Sequence, residues 1–148
     1  FCKDFYTILP DQLLILIESD NFNELLQSKD NYNDTSIHDF CRNNKSQESL
    51  NIILEYLEKH NLTKILLDKN NFNDTPIHKF CYRNKPPESL KIILEYLEKH
   101  NFNELLLDKN YFNDTPIHNF CGYKKSPESL KIILEYLEKH NLSEILQF

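Results

Sequence analysis

A ten-residue segment, Ile-Ile-Leu-Glu-Tyr-Leu-Glu-Lys-His-Asn, occurs three times in this chain, at residues 52–61, 92–101 and 132–141. The copies lie 40 residues apart, and shorter segments that contain His and Cys recur with the same spacing. A fixed period of this size indicates one supersecondary unit repeated in tandem, with each copy burying its apolar face against its neighbour. Because stacked units present an extended surface, the repeat favours partner recognition over catalysis.

With this period, the whole 148-residue chain can be described as one array of repeats. We assign a partial N-terminal repeat to residues 1–30, two complete repeats to residues 31–70 and 71–110, and a C-terminal repeat to residues 111–148. The chain starts with Phe rather than Met, and its first two residues resemble the end of a His-x-Phe-Cys segment. We therefore interpret it as part of a longer array.

Charge and composition limit the classes of partner. The formal net charge of −6 argues against nucleic acid, because a phosphate backbone requires a basic patch on the protein. No apolar segment approaches the ~18 residues of a membrane span, so we expect no membrane partner. The four cysteines fall once in each repeat. We expect equivalent positions of stacked repeats to lie farther apart than the about 7 Å between Cα atoms that a disulfide allows. We therefore expect buried, reduced thiols and a cytoplasmic location.

The repeat at residues 71–110 predicts three helical segments. Thr75 is a good N-cap and Pro76 suits the first helical position, so a short helix is expected to begin there. The next segment has apolar residues at the i, i+3, i+4, i+7 spacing of an amphipathic helix, namely Leu90, Ile93, Leu94 and Leu97. Asn101 suits a left-handed helix end, and a short third turn follows at residues 105–107. Nothing alternates at period two, so the chain is predicted to be all-α.

The segment Asn-Phe-Asn-Asp-Thr-Pro-Ile-His at residues 71–78, followed by Leu-x-Ile-Ile-x-x-x-Leu at residues 90–97, resembles the ankyrin repeat. The match recurs in three copies and fits the helical half of a fourth at residues 11–26. The resemblance implies a solenoid of helix-turn-helix units joined by polar finger turns. Here each unit has an extra short helical turn.

The chain also departs from the ankyrin pattern. The unit has 40 residues rather than about 33, and we place the surplus in the loop between the helices and in the extra turn. Asn73 replaces the usual finger Gly, Phe80 and Cys81 replace a pair of alanines, and Ser36 interrupts the first Thr-Pro-Ile-His. An α-solenoid of another type is the alternative fold.

His78 and Cys81, like their equivalents in the other repeats, have side chains that can bind metal or act as nucleophiles. Zn²⁺ prefers four ligands, whereas each repeat offers two. A Cys-His nucleophile requires a third orienting group and one special copy, whereas this pair occurs three times. The resemblance implies instead that the His bonds the Thr hydroxyl and neighbouring backbone and ties repeats together. We therefore expect no enzyme activity, no metal and no cofactor.

Acidic residues also recur along the second helix of each repeat. They are Glu55, Glu58, Glu95, Glu98, Glu135 and Glu138. We interpret them as a solvated face, and docking of a basic partner is the alternative.

Differences between the copies indicate where a partner binds. Residues 88–101 and 128–141 are identical, whereas residues 71–87 and 111–127 differ at six positions in the finger, the first helix and the loop after it. The resemblance implies that fingers and first helices line a concave, protein-binding groove, and Tyr and Arg are favoured interface residues. The predicted contact set is Tyr32, Asp39, Arg42, Asn43, Phe72, Lys79, Tyr82, Arg83, Tyr111, Phe112, Asn119 and Tyr123. The alternatives are that loops simply accumulate changes and that the finger aromatics are packed core.

The sequence therefore predicts a non-catalytic protein–protein interaction module, as part of a scaffold or of an effector delivered into the cytosol of a host cell. The partner is a protein that the sequence does not identify. One alternative is a structural spacer or spring between domains outside this chain, and another is an enzyme whose catalytic domain lies outside it. Apolar residues at the two ends of the array, Ile15, Leu142, Ile145 and Phe148, predict self-association through uncapped ends.

Overall fold

The structure, a computed structural model, describes residues 9–122 and 125–143. Within these residues the regular structure is helical, which confirms the all-α class, and the one extended pairing is an isolated bridge between Lys29 and Thr35. The α-helices are α1 (Pro10–Leu16), α2 (Phe22–Gln27), α3 (Ser36–Asn43), α4 (Gln47–Lys59), α5 (Pro76–Cys81), α6 (Pro87–Lys99), α7 (Pro116–Cys121) and α8 (Pro127–Lys139). Two 3₁₀ helices, Thr63–Leu67 and Asn103–Leu107, form the extra turn of the second and third repeats.

The first helix of each repeat, α3, α5 or α7, begins at a Thr cap. In α5 the Thr75 hydroxyl accepts the N–H of His78 at 3.3 Å, which satisfies one of the backbone donors that a helix start leaves free. Pro76 occupies the first helical position, where its missing N–H removes no intrahelical bond. The start predicted at Pro76 is confirmed, and α3 and α7 are capped by equivalent threonines.

The second helix of each repeat, α4, α6 or α8, is the amphipathic one. In α6 the apolar stripe that includes Leu90, Ile93 and Leu97 is buried. The chain leaves the helix through Asn101, whose φ of 59° is left-handed. Asn tolerates this conformation better than other residues with a β-carbon, which is why the chain turns here without Gly. Both the helix and its left-handed end match the sequence prediction.

Helices of like position pack against each other along the chain. Helix α5 packs between α3 and α7, and α6 contacts both α4 and α8. The side chain of Leu94 in α6 is 3% exposed, whereas its equivalent Leu134 in α8 is 47% exposed. Because α6 and α8 have the same sequence, this contrast shows how much apolar surface a following helix pair covers.

Buried histidines join the first helices to the next repeat. Nδ1 of His38 accepts the backbone N–H of Thr35 at 3.1 Å, and its Nε2 lies 3.0 Å from the carbonyl oxygen of Asp74, one repeat later. His78 makes the same pair of contacts to Thr75 and Asp114. Burial lowers the pKa of both rings, which favours a neutral imidazole that accepts at Nδ1 and donates at Nε2. The expected role of these histidines is confirmed.

One expectation about burial fails, and one apolar residue near the start of the described chain is exposed. Cys41 and Cys81 are buried free thiols as expected, but Cys121 is exposed, because no described first helix follows α7 to cover it as α7 covers α5. Ile15, one of the apolar residues interpreted as an uncapped end of the array, is 73% exposed on α1. Cys2 lies outside the described residues, as do Ile145 and Phe148. Among the residues that are described, no helix combines the length and apolar character that a membrane crossing requires.

Candidate partner-binding surface

The fingers, which we define as residues 29–34, 69–74 and 109–114, are tight turns held by their own side chains. In the second finger the backbone N–H of Asn70 donates to the carbonyl of Asp74 at 3.0 Å. The Asn70 side-chain oxygen accepts the N–H groups of Phe72 and Asp74, each at 2.9 Å. Asn73 has a left-handed φ of 64° and so supplies the geometry for which Gly is usual. The finger tip is therefore a fixed structure.

Consecutive fingers are also hydrogen-bonded to each other. The N–H of Asn71 donates to the carbonyl of Tyr32 at 2.9 Å, and the N–H of Tyr111 donates to the carbonyl of Phe72 at 3.0 Å. Below the tips, the buried amides of Asn70 and Asn110 donate at 2.8 Å to the Asp carboxylates of the preceding fingers. Buried and charge-assisted bonds of this kind are among the stronger ones in proteins. The three fingers therefore hold a fixed spacing.

The fingers carry a row of exposed aromatic rings. The ring centroids of Tyr32 and Phe72 lie 6.2 Å apart with planes inclined by 26°, and those of Phe72 and Phe112 lie 6.1 Å apart with planes inclined by 23°. The three side chains, which we call the aromatic row, are 60%, 39% and 65% exposed, and the neighbouring Tyr111 is 74% exposed. The alternative that the finger aromatics are packed core is therefore wrong, and their role as partner contacts stays a prediction.

The C-terminal ends of the first helices form a second exposed group. The guanidinium carbon of Arg42 lies 6.0 Å from the ring centroid of Tyr82, and the ammonium of Lys79 lies 5.4 Å from the same ring. Both distances suit cation–π attraction, which orders the half-buried Tyr82. Arg42 and Arg83 remain exposed. A tyrosine ring in contact with two cations, with the exposed Arg83 next to it in the chain, has the residue types that are favoured at protein interfaces.

Other members of the predicted contact set are less accessible. Lys79 and Asn119 are each only 8% exposed, because their positions face the neighbouring first helix. Lys79 lies 3.9 Å from the Asp74 carboxylate, and the Asn119 amide donates to the carbonyl of His78 at 3.4 Å. Asp39 and Asn43 are half-buried. Tyr123 lies outside the described residues.

Three carboxylates come together where the first finger leads into α3. Ligand oxygens of Asp30, Asp34 and Asp39 lie within 4.8 Å of one another. Burial, together with the charges of Asp34 and Asp30, raises the pKa of Asp39 to about 6. These oxygens could contact a cation, but the equivalent positions in the next repeat are Asn70, Asp74 and Lys79, where an amide and an ammonium remove the repulsion. The cluster is therefore a feature of one copy.

A half-buried lysine, Lys85, supports the loop between the two helices. The ammonium of Lys85 donates at 2.6 Å to the carbonyl of Arg42 at the end of the preceding first helix, and it lies 5.1 Å from the Phe80 ring. Burial lowers the pKa of Lys85 to about 8. Lys85 is not in the predicted contact set. The sequence does single it out, since Lys125 occupies the equivalent position in the next copy although residues 82, 83, 84 and 86 all differ between the copies.

On the outer face formed by the second helices, some of the charged side chains form ion pairs with each other. Glu58 pairs with Lys99 at 2.5 Å, and Glu98 pairs with Lys139 at 2.8 Å. The hydrogen bond from the lysine is the main cause that lowers the pKa of each glutamate. Two carboxylates of the acidic series are therefore used between repeats and are not free for a basic partner.

The His-Cys pairs are poorly suited to chemistry. Both ring nitrogens of His78 already contact backbone or hydroxyl groups in its own and the next repeat. Burial raises the pKa of Cys41 and Cys81 to about 12, so both thiols stay protonated near neutral pH. Because the thiolate is the reactive form, these groups serve packing rather than nucleophilic attack.

No protein-family model matches the chain, and a search of curated proteins gives no significant match. The fingers and the ends of the first helices are therefore the basis for a functional proposal.

Proposed function

We propose that the chain is a non-catalytic protein-interaction module, an ankyrin-like array that binds a protein partner with its fingers and first helices. The observation that carries this proposal is the aromatic row, whose three rings are exposed although they occur at regular positions in an otherwise well-packed molecule. Contiguous exposed apolar patches are uncommon on proteins that bind nothing, and aromatic residues are enriched at interfaces.

The rigidity of the fingers supports the same proposal. Hydrogen bonds between fingers, and from His38 and His78 to the following finger, fix the row before a partner arrives. Little conformational entropy is then lost on binding, so more of the contact free energy appears as affinity. A surface of this kind does not need to fold when it binds.

The distribution of sequence differences is further support. The copies at residues 71–87 and 111–127 share the residues that build the finger and cap the helix. The six differences are at the finger position 71/111, at the buried position 79/119 of the first helix, and at positions 82, 83, 84 and 86 after it. In the copy at residues 71–87, positions 71, 83 and 84 are exposed, so their side chains can select a partner.

The proposal is tested by affinity capture from the native cells with three baits. These are the unaltered chain, a groove variant (Phe72→Ala, Tyr82→Ala and Arg83→Glu) and an outer-face variant (Lys91→Glu and Glu95→Ala) as the matched control. Circular dichroism must show equal helicity for all three. We expect a protein that the unaltered and outer-face baits retain and the groove variant loses. Identical capture by all three baits would overturn the proposal and favour the spacer.

A further inference from the structure

The spacing of the aromatic row limits the shape of what can lie along it. Its rings are 6.2 Å and 6.1 Å apart and form a single file. In an extended peptide, side chains on one face repeat every about 6.4–6.8 Å, which matches the ring spacing closely. An α-helix repeats every about 5.4 Å and presents a broad stripe, and a polyproline II helix repeats every about 9 Å. The row therefore fits an extended segment best.

The charge of the fingers limits the chemistry of that segment. Their exposed charged residues are Lys29, Lys69, Lys109 and Asp30, whereas Asp34 and Asp74 are buried and Asp114 is half-buried. None of the three lysines forms an ion pair with another described residue. Each finger of the row therefore also carries one exposed lysine without an ion pair to another described residue, on a chain whose net charge is −6.

The backbone of Lys109 is hydrogen-bonded to the finger that carries the central ring. Its carbonyl accepts the side-chain amide of Asn73 at 3.1 Å, and Asn73 directly follows Phe72. The backbone that carries this exposed lysine is therefore fixed relative to the row, and a negatively charged segment is favoured there.

We propose that the aromatic row binds an extended, acidic segment of a partner protein, with apolar side chains at alternate positions on successive rings and carboxylates of the same segment attracted to the finger lysines. This inference rests on the proposed function and adds the chemistry and conformation of the ligand. Five consecutive residues span the three rings, because alternate residues face the same side of an extended chain.

The test is fluorescence anisotropy with short labelled peptides and the full chain. The main probe alternates Leu and Glu between Gly-Ser flanks. Comparison probes are a peptide of the same composition with Leu and Glu in separate blocks, an alternating Leu-Lys peptide and an oligothymidine. We expect the alternating Leu-Glu peptide to bind most tightly, with an affinity that falls as salt is added.

Single substitutions test whether the peptide binds at the aromatic row. Phe72→Ala removes the central ring and is expected to weaken binding about tenfold, and Phe112→Ala at the exposed end of the row is expected to weaken it less. Lys69→Ala is expected to reduce the salt dependence. Ile15→Ala is the matched control, because Ile15 is an exposed apolar residue away from the fingers. It is expected to leave affinity unchanged.

Each contrary result has a distinct meaning. Equal binding of the alternating and block peptides, or no binding of either, overturns the extended ligand. Tighter binding of oligothymidine that Phe72→Ala abolishes overturns it in favour of single-stranded nucleic acid, whose bases also stack on aromatic rows. The proposed function survives both peptide results if the groove variant still loses its captured protein, and it fails separately if capture is unaffected.

Discussion

Replacement of Asp39 by Asn is expected to stabilise the protein at neutral pH. The Asp39 carboxylate is half-buried beside Asp34 and Asp30, and the resulting pKa of about 6 lies well above its ordinary value of 3.8. The C-terminal repeat already has Asn119 at this position. The substitution therefore removes a charge and keeps a residue that the same local backbone accommodates.

The magnitude follows from the pKa. The gap between 3.8 and about 6 corresponds to roughly 3 kcal/mol at most. Because Asp39 is half-exposed, solvent screening reduces the expected gain to about 1 kcal/mol. The folded pKa is raised, so the folded state favours the protonated acid. The contribution of Asp39 to the stability of the wild-type chain is therefore largest below pH 3.8, and it is lost as pH rises through about 6.

Urea unfolding of wild type and Asp39→Asn at about pH 7 and about pH 4 measures the effect. We expect the variant to be more stable by about 1 kcal/mol near neutral pH, a Tm increase of about 2–4 °C, and equal to wild type at the lower pH. Asn119→Asp is the reciprocal control and is expected to destabilise the chain near neutral pH. A gain that does not change with pH would refute the electrostatic reasoning, as would an unstable Asp39→Asn variant.

Three further predictions concern stability and accessibility. His78→Ala is expected to lower the free energy of unfolding in urea by about 2–4 kcal/mol, because it leaves a cavity and an unpaired carbonyl at Asp114. An equal loss for His60→Ala, at an exposed histidine, would contradict this. At Asn113, whose φ is 65°, Gly is expected to be tolerated and Ala to cost about 1 kcal/mol in thermal unfolding; equal effects would show that the left-handed backbone is unimportant. Alkylation followed by peptide mass spectrometry is expected to label Cys121 in the native protein and Cys81 after denaturation only, and early labelling of Cys81 would disprove its burial.

Local signals in the sequence predict most of the helices. Thr75 and Pro76 mark a helix start, and the apolar stripe of α6 and the left-handed Asn101 are encoded within a few residues. The extra 3₁₀ turn at Asn103–Leu107 follows from a short apolar run after a polar turn. These features are predictable because the responsible contacts lie within one repeat.

Burial between repeats is harder to predict, because it depends on contacts between distant residues. Lys79 belongs to an exposed residue type but lies against the preceding first helix, whereas Phe72 belongs to a buried type but lies at a finger tip. The Lys85 ammonium donates a hydrogen bond to the carbonyl of Arg42 in the preceding repeat, a contact that the local sequence does not predict. The sequence identifies the candidate surface, but only the packing shows which of its side chains a partner can reach.

The identity of α6 and α8 has a consequence for refolding. The ion pair between Glu58 and Lys99 is reproduced by the one between Glu98 and Lys139, so a second helix cannot distinguish its own neighbour from the equivalent helix of another molecule. Exchange of like elements between chains is a known failure of repeat proteins. Refolding from denaturant at high protein concentration is therefore expected to yield exchanged dimers, whereas dilute refolding yields monomers.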